Sequence, residues 1–490
     1  MKSIKYNAIM NAILSVANII FPLITFPYIT RTLGVDVNGK LAFASSVINY
    51  FSVFATLGLA TYGTKVCAKY RDDKDKLSKT VQELVLINII TTLIVSLILI
   101  ISIIVIPKFN DNALLLIIYS CGMILNVIGL NWLYFAIEEY AYITKRSIIF
   151  KLIGLIMMFL FVHNPNDGYK YALITILANV GSNILNIINA NKFIYFKKYI
   201  NYNLWQHLKP TLSMFGTSLA INIYSGLDTV MLGFVSGDYE VGIYTAAVKI
   251  RMVLTSLISS LGTVLMPRLS YYIEKGEHDN FARILKKSYS VIIMISIPMM
   301  LFFCIESKDS ILLLSGKNYI KAVIPMIILM PIMVISSLSN ITGVQILIPN
   351  NQEHKFMKSV IVGAILNIIF NVILMPKFGS IGAAVSTLIA ECGQFTMQVI
   401  YTRKYVKGIF SLKQLGKILL SSSIAAMILF VFKSYMNFSF SNTEINSFTS
   451  LIISGSIFFI IYIILLFMVR FDLAIEVKEY IFKKLANNIS

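Results

Sequence analysis

NIYSGLDTVMLGFVSGDYEVGIYTAAVKIR, residues Asn222–Arg251, reads as two membrane helices joined by a short outer turn. Asp228 lies about 7 residues before the turn, or about 10 Å along its helix at 1.5 Å per residue. Lys249 and Arg251 lie about 8 to 10 residues into the next helix, about 12 to 15 Å along it. The three charges therefore sit at similar depths. Near a helix centre each costs roughly 2.5–3.5 kcal/mol on an insertion scale, so each needs a partner or water. Asp228 and Lys249 could pair and tie the two helices together. Alternatively, the charges line a watery cavity between two helix bundles. The rest of the chain bears on that choice.

Of the 490 residues, 57% are hydrophobic and only 13% charged. A soluble domain carries about 25% charged residues. Apolar runs of about 20 residues recur throughout, each long enough to cross a 30 Å hydrocarbon layer. The fold class expected is an all-α polytopic membrane protein. Ten-residue alternating strands are absent, which excludes a membrane β-barrel. The net charge of +19 would suggest nucleic acid in a soluble protein. Here Lys and Arg collecting in inner loops explains it better. The basic, aromatic-interleaved stretch Lys192–Lys209 reads as an interfacial segment on anionic lipid.

Cys67, Cys121, Cys304 and Cys392 are scattered, as are His163, His207, His278 and His354, so no metal site or disulfide framework is indicated. Motifs for zinc hydrolysis, a Gly-x-Ser-x-Gly nucleophile or a phosphate-cradling loop are missing, and the outer loops are short. The expectation is a protein that is not an enzyme and has no cofactor. The apolar run after Lys2 and Lys5 is too long for a cleavable signal and is expected to stay as the first helix.

Fourteen spans are expected, at approximately 7–30, 41–64, 80–106, 113–136, 147–163, 169–191, 210–235, 241–266, 286–306, 321–347, 359–375, 381–402, 416–434 and 447–469. With the N-terminus inside, inner segments hold about 30 of the 42 Lys and Arg residues, which puts both termini in the cytoplasm. The chain also repeats. Leu33–Gly34 is echoed by Leu232–Gly233, Gly39 with Ala44 by Gly242 with Ala247, and Leu57–Gly58 by Leu261–Gly262. Pro165 and Gly168 match Pro376 and Gly379, and Ala178 and Gly181 match Ala390 and Gly393. The offset drifts smoothly from about 199 to about 212 residues, the mark of a parallel repeat about an axis along the membrane normal. Residues 1–191 then form one six-helix lobe, 192–209 a basic cytoplasmic linker, 210–402 a second, pseudo-symmetric six-helix lobe, and 403–490 two extra helices with a cytoplasmic tail. Two lobes meeting on an axis create a site that can open to either side, which is the plan of a transporter.

Candidate residues follow from charge and backbone chemistry. Pro22 and Pro27 each remove a backbone hydrogen bond from the first span, as packing kinks or as parts of a moving gate helix. Arg31 either snorkels to the outer interface or lines the cavity, where its planar fork suits phosphate. Glu391, with Gln394 one turn on, must face the interior or titrate. Asn88, Asn126, Asn179, Asn183, Asn222, Asn340 and Asn371 are read mainly as ties between helices. Lys151 and Lys433 are read as snorkelling. Among deep residues the cations Arg31, Lys249 and Arg251 outnumber the acids Asp228 and Glu391, so an anionic cargo is favoured.

FPLITFPYITRTLG (Phe21–Gly34), Gly39, FSVFATLGLATYGTK (Phe51–Lys65) and RDDKDKLSK (Arg71–Lys79) resemble the start of polysaccharide-biosynthesis flippases. These are the O-antigen and capsule repeat-unit flippases of the multidrug/oligosaccharidyl-lipid/polysaccharide exporter superfamily. Asp228–Ile250 and Pro267–Ser270 are similar to the family's second-lobe pattern. The resemblance implies a flippase for undecaprenyl-diphosphate-linked oligosaccharides in the cytoplasmic membrane. It implies alternating access, with membrane lipids and polysaccharide polymerase machinery as further partners. Arg31, Lys249 and Arg251 become candidates for the diphosphate, and Asp228, Glu391, Pro22 and Pro27 for coupling or gating. Proton, sodium and membrane-potential coupling all stay open. A drug or organic-cation antiporter of the same superfamily, a lipid II flippase and an integral-membrane glycan polymerase are the alternatives.

Overall fold

A computed structural model describes residues 4–406, 408–435 and 443–476; the side chains at 4, 5, 217, 218, 220–225, 260–264, 266 and 267 lie outside the description. The expected helix tie at Asn222 and most of the expected cytoplasmic tail therefore fall outside the described residues. Every regular element described is a helix. Ten helices among the described residues are long and apolar enough to cross a bilayer. Two of the ten, covering Tyr6–Lys69 and Glu353–Val406, are 64 and 54 residues long. One crossing needs only about 20 residues.

The chain forms two compact units, Met1–Gly242 and Ile243–Ser490. The first contains α1 (Ile4–Thr56), α2 (Leu59–Lys69), α3 (Lys74–Val105), α4 (Pro107–Asp111), α5 (Ala113–Val127), α6 (Asn131–Ala136), α7 (Tyr140–Phe161), α8 (Gly168–Ile176), α9 (Asn183–Ala190) and α10 (Trp205–Val235). The boundary falls inside α11 (Asp238–Glu274). The second unit continues with α12 (His278–Ile305), α13 (Ser307–Leu314), α14 (Val323–Ser339), α15 (Glu353–Val406), α16 (Leu412–Tyr435) and α17 (Thr443–Met468).

Both units are apolar outside and polar within. On α3 the exposed face is Ile90, Leu93, Ile94, Leu97 and Ile101, while Asn88 and Thr92 are buried. On α15, Asn367, Asn371, Gln394 and Gln398 are buried, while Ile365, Ile369 and Ile400 are exposed. This arrangement is stable only where the outer surface meets lipid.

Several expected spans are broken or shifted. The one expected at 41–64 is interrupted at Leu57 and Gly58, whose φ angles are 44° and 76°. A Cβ at Gly58 would lie 2.6 Å from the Phe215 nitrogen, so close backbone approach of α10 fixes glycine there. The span expected at 113–136 is broken between Val127 and Asn131, with Leu130 left-handed. The fifth begins at Tyr140 rather than 147, which carries Arg146 into the bundle and leaves Lys145 exposed. Inside α1 and α15 the helix direction changes at Gly34 (φ 77°) and Gly379 (φ 52°).

Two lysines read as snorkelling have partners. Lys433 Nζ lies 2.7 Å from Glu306 and 2.8 Å from Asp309, so it is ion-paired at the head of α13 instead. Glu306 is fully buried. A buried carboxylate needs its counter-charge held close. Lys151 sits 5.2 Å over the Phe21 ring, a cation–π contact to α1.

Candidate functional site

Helix α1 stays continuous through Pro22 and Pro27. Two hydroxyls bond back along the helix beside the prolines: Thr25 donates to the Pro22 carbonyl at 3.4 Å and Thr30 to the Pro27 carbonyl at 3.1 Å. The half-buried Arg31 donates to the same Pro27 carbonyl at 2.7 Å, so its guanidinium folds back along its own helix. Tyr28 pins this segment to α7 by donating to the Val162 carbonyl at 2.6 Å and stacking edge-on to Phe159 at 4.8 Å.

Asp228 is buried on α10, within electrostatic reach of Tyr50 on α1. The α10 glycines and the second half of α1 pack unusually close. A Cβ at Gly233 would meet the Phe43 ring at 2.3 Å, and one at Gly39 would meet the Asp238 carbonyl oxygen at 1.8 Å. Gly242 faces the Val35 carbonyl in the same way, at 2.3 Å. Beside them Phe43, Phe109 and Phe234 form a ring cluster with centroids 5.5 to 6.1 Å apart. Lys108 lies 5.4 Å over Phe43 and pairs with Asp238 at 2.7 Å. Only glycine allows backbones this close, and the ion pair closes the end of the contact.

In the second unit, Lys249 is exposed on α11 although Ala246, Ala247 and Ile250 around it are buried. Arg251 is half-buried, and its Nε is buried with no hydrogen-bond partner among the described residues. Two residues along a helix turn the side chain by about 200°. The two cations therefore project from different faces of α11.

Glu391 and Gln394 are both buried, the pair expected from their spacing. Gln394 approaches Ser339 at 3.5 Å, and its Oε1 is buried with no hydrogen-bond partner among the described residues. They belong to a longer polar lane. Ser339 and Thr342 each donate to Gln398 Oε1 at 2.7 Å, and Gln398 Nε2 donates to Ser359 at 3.2 Å. Ser288 donates to Gln345 at 3.0 Å, and Gln345 to Asn340 at 3.2 Å. The wide turn Asn340–Leu347 following α14 brings these amides inward. Asn371 donates to Asn367 at 3.0 Å, and Tyr244 meets Thr387 at 2.9 Å.

Two buried charge centres in the first unit are absent from the sequence reading. Arg146, 5% exposed, donates to Ser182 and Asn131, and to Asn183 at 3.4 Å. Asn183 and Asn186 in turn serve the carbonyls of Leu125 and Gly129 at the break after α5. His207 is the second centre: its Nε2 lies 2.9 Å from Glu83, and its Nδ1 2.8 Å from the Tyr62 hydroxyl. Glu83 also accepts from the Asn203 nitrogen at 2.8 Å and from Gln206 at 3.1 Å. A span expected from 147 leaves Arg146 in a loop, whereas the helix begins seven residues earlier. Glu83 and His207 are 124 residues apart, and no local spacing pairs them.

The sequence profile of polysaccharide biosynthesis proteins matches residues 4–273, more than half of the chain. The chain belongs to the polysaccharide biosynthesis protein family. A second profile, MatE, matches residues 214–373 of this polysaccharide biosynthesis protein. Among curated relatives it is 27% identical over 403 residues to a putative O-antigen transporter of Escherichia coli K12, covering 82% of this chain and 97% of that one. It is 25% identical over 218 residues to a probable low-salt glycan biosynthesis flippase of Haloferax volcanii, covering 44% and 46%. In fold it is similar to the lipid II flippase MurJ in an inward closed conformation, with a TM-score of 0.74 at 17% identity over 93% of this chain and 98% of that one. An inward-facing multidrug resistance MATE family transporter of the MOP superfamily gives 0.58 at 13% identity over 80% and 98%.

Proposed function

We propose that this protein is a flippase that carries undecaprenyl-diphosphate-linked oligosaccharide across the cytoplasmic membrane for assembly of a surface polysaccharide. The observation that carries this reading is a match to the putative O-antigen transporter of Escherichia coli K12 over nearly that protein's whole length. A lipid-linked sugar has an anionic diphosphate, a polar head and an apolar tail. A route for it needs cations inside the membrane and a wall open to lipid.

In this reading the chain has fourteen crossings. The two longest helices count twice, split at Gly34 and Gly379, and α7 and α10 cross despite their charges or incomplete description. Both termini lie in the cytoplasm. The repeat boundary stays at residues 192–209, with lobes 1–191 and 210–402 and accessory helices in 403–490. A repeat boundary and a compact unit need not coincide, because α10 packs against α1 in the first unit. Rocking of the lobes exposes a site alternately to either side. Lys249 is the leading diphosphate ligand because it is the one deep cation of the three whose side chain is exposed. Arg31 and Arg251 assist it. Asp228 and Glu391 couple the cycle to a proton or sodium gradient, and the Pro22–Pro27 segment bends as the gate. In this reading the protein performs transport and no covalent step.

Lys249→Ala is expected to lower surface-glycan export at least tenfold with unchanged protein level in the membrane, scored by glycan immunoblot. Normal export would remove Lys249 from the route. The fold shared with a lipid II flippase makes that cargo the second reading. Uptake of labelled lipid II and of labelled lipid-linked oligosaccharide into proteoliposomes separates the two.

A further inference from the structure

The first unit holds an open crevice of about 210 Å³ that the transport reading leaves unused. Its walls are apolar: Val85 and Leu86 of α3, Val127 and Ile128 at the break after α5, and Ile187 of α9. The segment between α9 and α10 roofs it with Ile194, Phe196 and Tyr202. The three wall helices expose Ile90 and Leu93, Ile124, and Ile184 and Ile188 beside these lining positions. The crevice is thus a recess in a surface that already faces hydrocarbon.

The roof is not a loose loop. Gln82 donates to the carbonyls of Tyr195 and Lys197 at 2.8 and 3.1 Å and accepts from Tyr202 at 2.6 Å. Ser78 accepts from the Tyr195 nitrogen at 2.8 Å. These bonds hold an extended strand of chain across α3 without closing the space below it.

The rim is cationic. Lys74 Nζ sits 4.3 Å over the Tyr195 ring and reaches the Lys192 carbonyl. Lys197 is neutralised by Asp75 at 2.5 Å. Lys74, Lys192 and Lys198 have no carboxylate partner among the described residues. Phe196 stands exposed between Lys192 and Lys198, and Ile200 and Trp205 stand exposed just after them, Ile200 at 97% and Trp205 at 82%. Exposed basic and large apolar side chains along one segment suit a membrane interface. Each lysine without a carboxylate partner adds attraction to an anionic surface.

We propose that this crevice is a binding site for one anionic glycerophospholipid of the inner leaflet. An acyl chain fills the apolar recess under Phe196 and Tyr202, and the phosphate meets Lys74 and its neighbours at the rim. The lipid fastens the inter-lobe segment to α3 and is distinct from the transported cargo. The proposal rests on the membrane orientation above, but not on the identity of the cargo.

The test uses the full-length protein in neutral detergent, titrated with dioleoyl phosphatidylglycerol or dioleoyl phosphatidylcholine, with bound lipid counted by native mass spectrometry. Phosphatidylglycerol is expected to bind about tenfold more tightly. Leu86→Trp, which fills the recess, is expected to abolish the retained lipid, and Lys74→Gln with Lys198→Gln to reduce the preference to about threefold or less. Leu86→Ala enlarges the space and must retain lipid, which guards against a misfolded tryptophan variant. Equal binding of the two lipids, or full retention by Leu86→Trp in a monodisperse sample, overturns the proposal. If the lysine changes weaken binding and Leu86→Trp does not, the surface is a basic patch with no chain site, and the proposal is likewise overturned. Loss of lipid with normal export leaves the flippase reading standing. Loss of export with normal lipid binding damages only that reading.

Discussion

The two units solve the same problem with different chemistry. Each contains a helix whose regular hydrogen bonding is interrupted, at Ile128–Leu130 in the first and at Asn340–Leu347 in the second. Each surrounds the interruption with buried polar side chains from neighbouring helices. In the first unit the centre is charged: Arg146 reaches Ser182, Asn183 and Asn131, all neutral acceptors. In the second the groups at the interruption are neutral, with Glu391 further along the same lane: Gln398 joins Ser339, Thr342 and Ser359. A guanidinium can satisfy several acceptors at once, but it carries a desolvation cost that an amide avoids. The first unit is therefore bound more tightly to one arrangement, and the second can re-pair its amides at lower cost.

Arg146→Met tests this most severely. It removes charge-assisted bonds that contribute about 1.5–3 kcal/mol each in favourable cases, and it leaves their acceptors buried. A loss of about 3 kcal/mol in stability is expected, read as a lower thermal unfolding midpoint and less folded protein in membranes. A neutral or stabilising result would mean that the desolvation cost of the guanidinium outweighs its bonds, and the comparison would reverse.

Gln398→Leu is the matching change in the second unit. Hydrogen bonds between membrane helices average about 0.6 kcal/mol, so losing three should cost about 1–2 kcal/mol in the same assay. A cost equal to that of Arg146→Met would show that the number of bonds, and not the charge, separates the units.

The smallest effect extends the contrast to exposed charge. Asp73 caps α3, accepting from the Lys76 nitrogen at 3.0 Å, and this hydrogen bond with the Lys76 ammonium holds its carboxyl below the ordinary range. A depressed folded-state value gives stability that is present above the unfolded value of about 3.9 and lost as pH falls through the folded one. Asp73→Asn keeps a competent cap. Wild type and variant should differ slightly near neutrality and converge in acid, compared by unfolding midpoint across pH 3 to 7. A gap that widens in acid would reverse the sign.

The membrane class, the helical architecture and the family are legible in the chain because they rest on long apolar runs and a distributed pattern. The pairing of Glu391 with Gln394 on one buried face follows from helical spacing alone. Positions set by distant contacts are not legible. The break at Gly58 reflects a backbone 157 residues on, that of Phe215, and the partners of Lys433 lie 127 and 124 residues earlier. Lys249 and Arg251 looked alike because depth along a helix is readable from sequence number. Which face is covered depends on neighbours that sequence number does not name.

The pairing of Lys433 with Glu306 and Asp309 has a consequence for biogenesis. At about 5–20 residues per second, the ribosome takes roughly 6–25 s to travel from the acids to their cation. During that interval the carboxylates at the junction of α12 and α13 have entered the nascent protein and their counter-ion does not yet exist. A chain cut short before residue 433 would wait indefinitely. Stop codons late in the gene should therefore act as assembly lesions, with the product cleared by proteolysis before any question of transport arises.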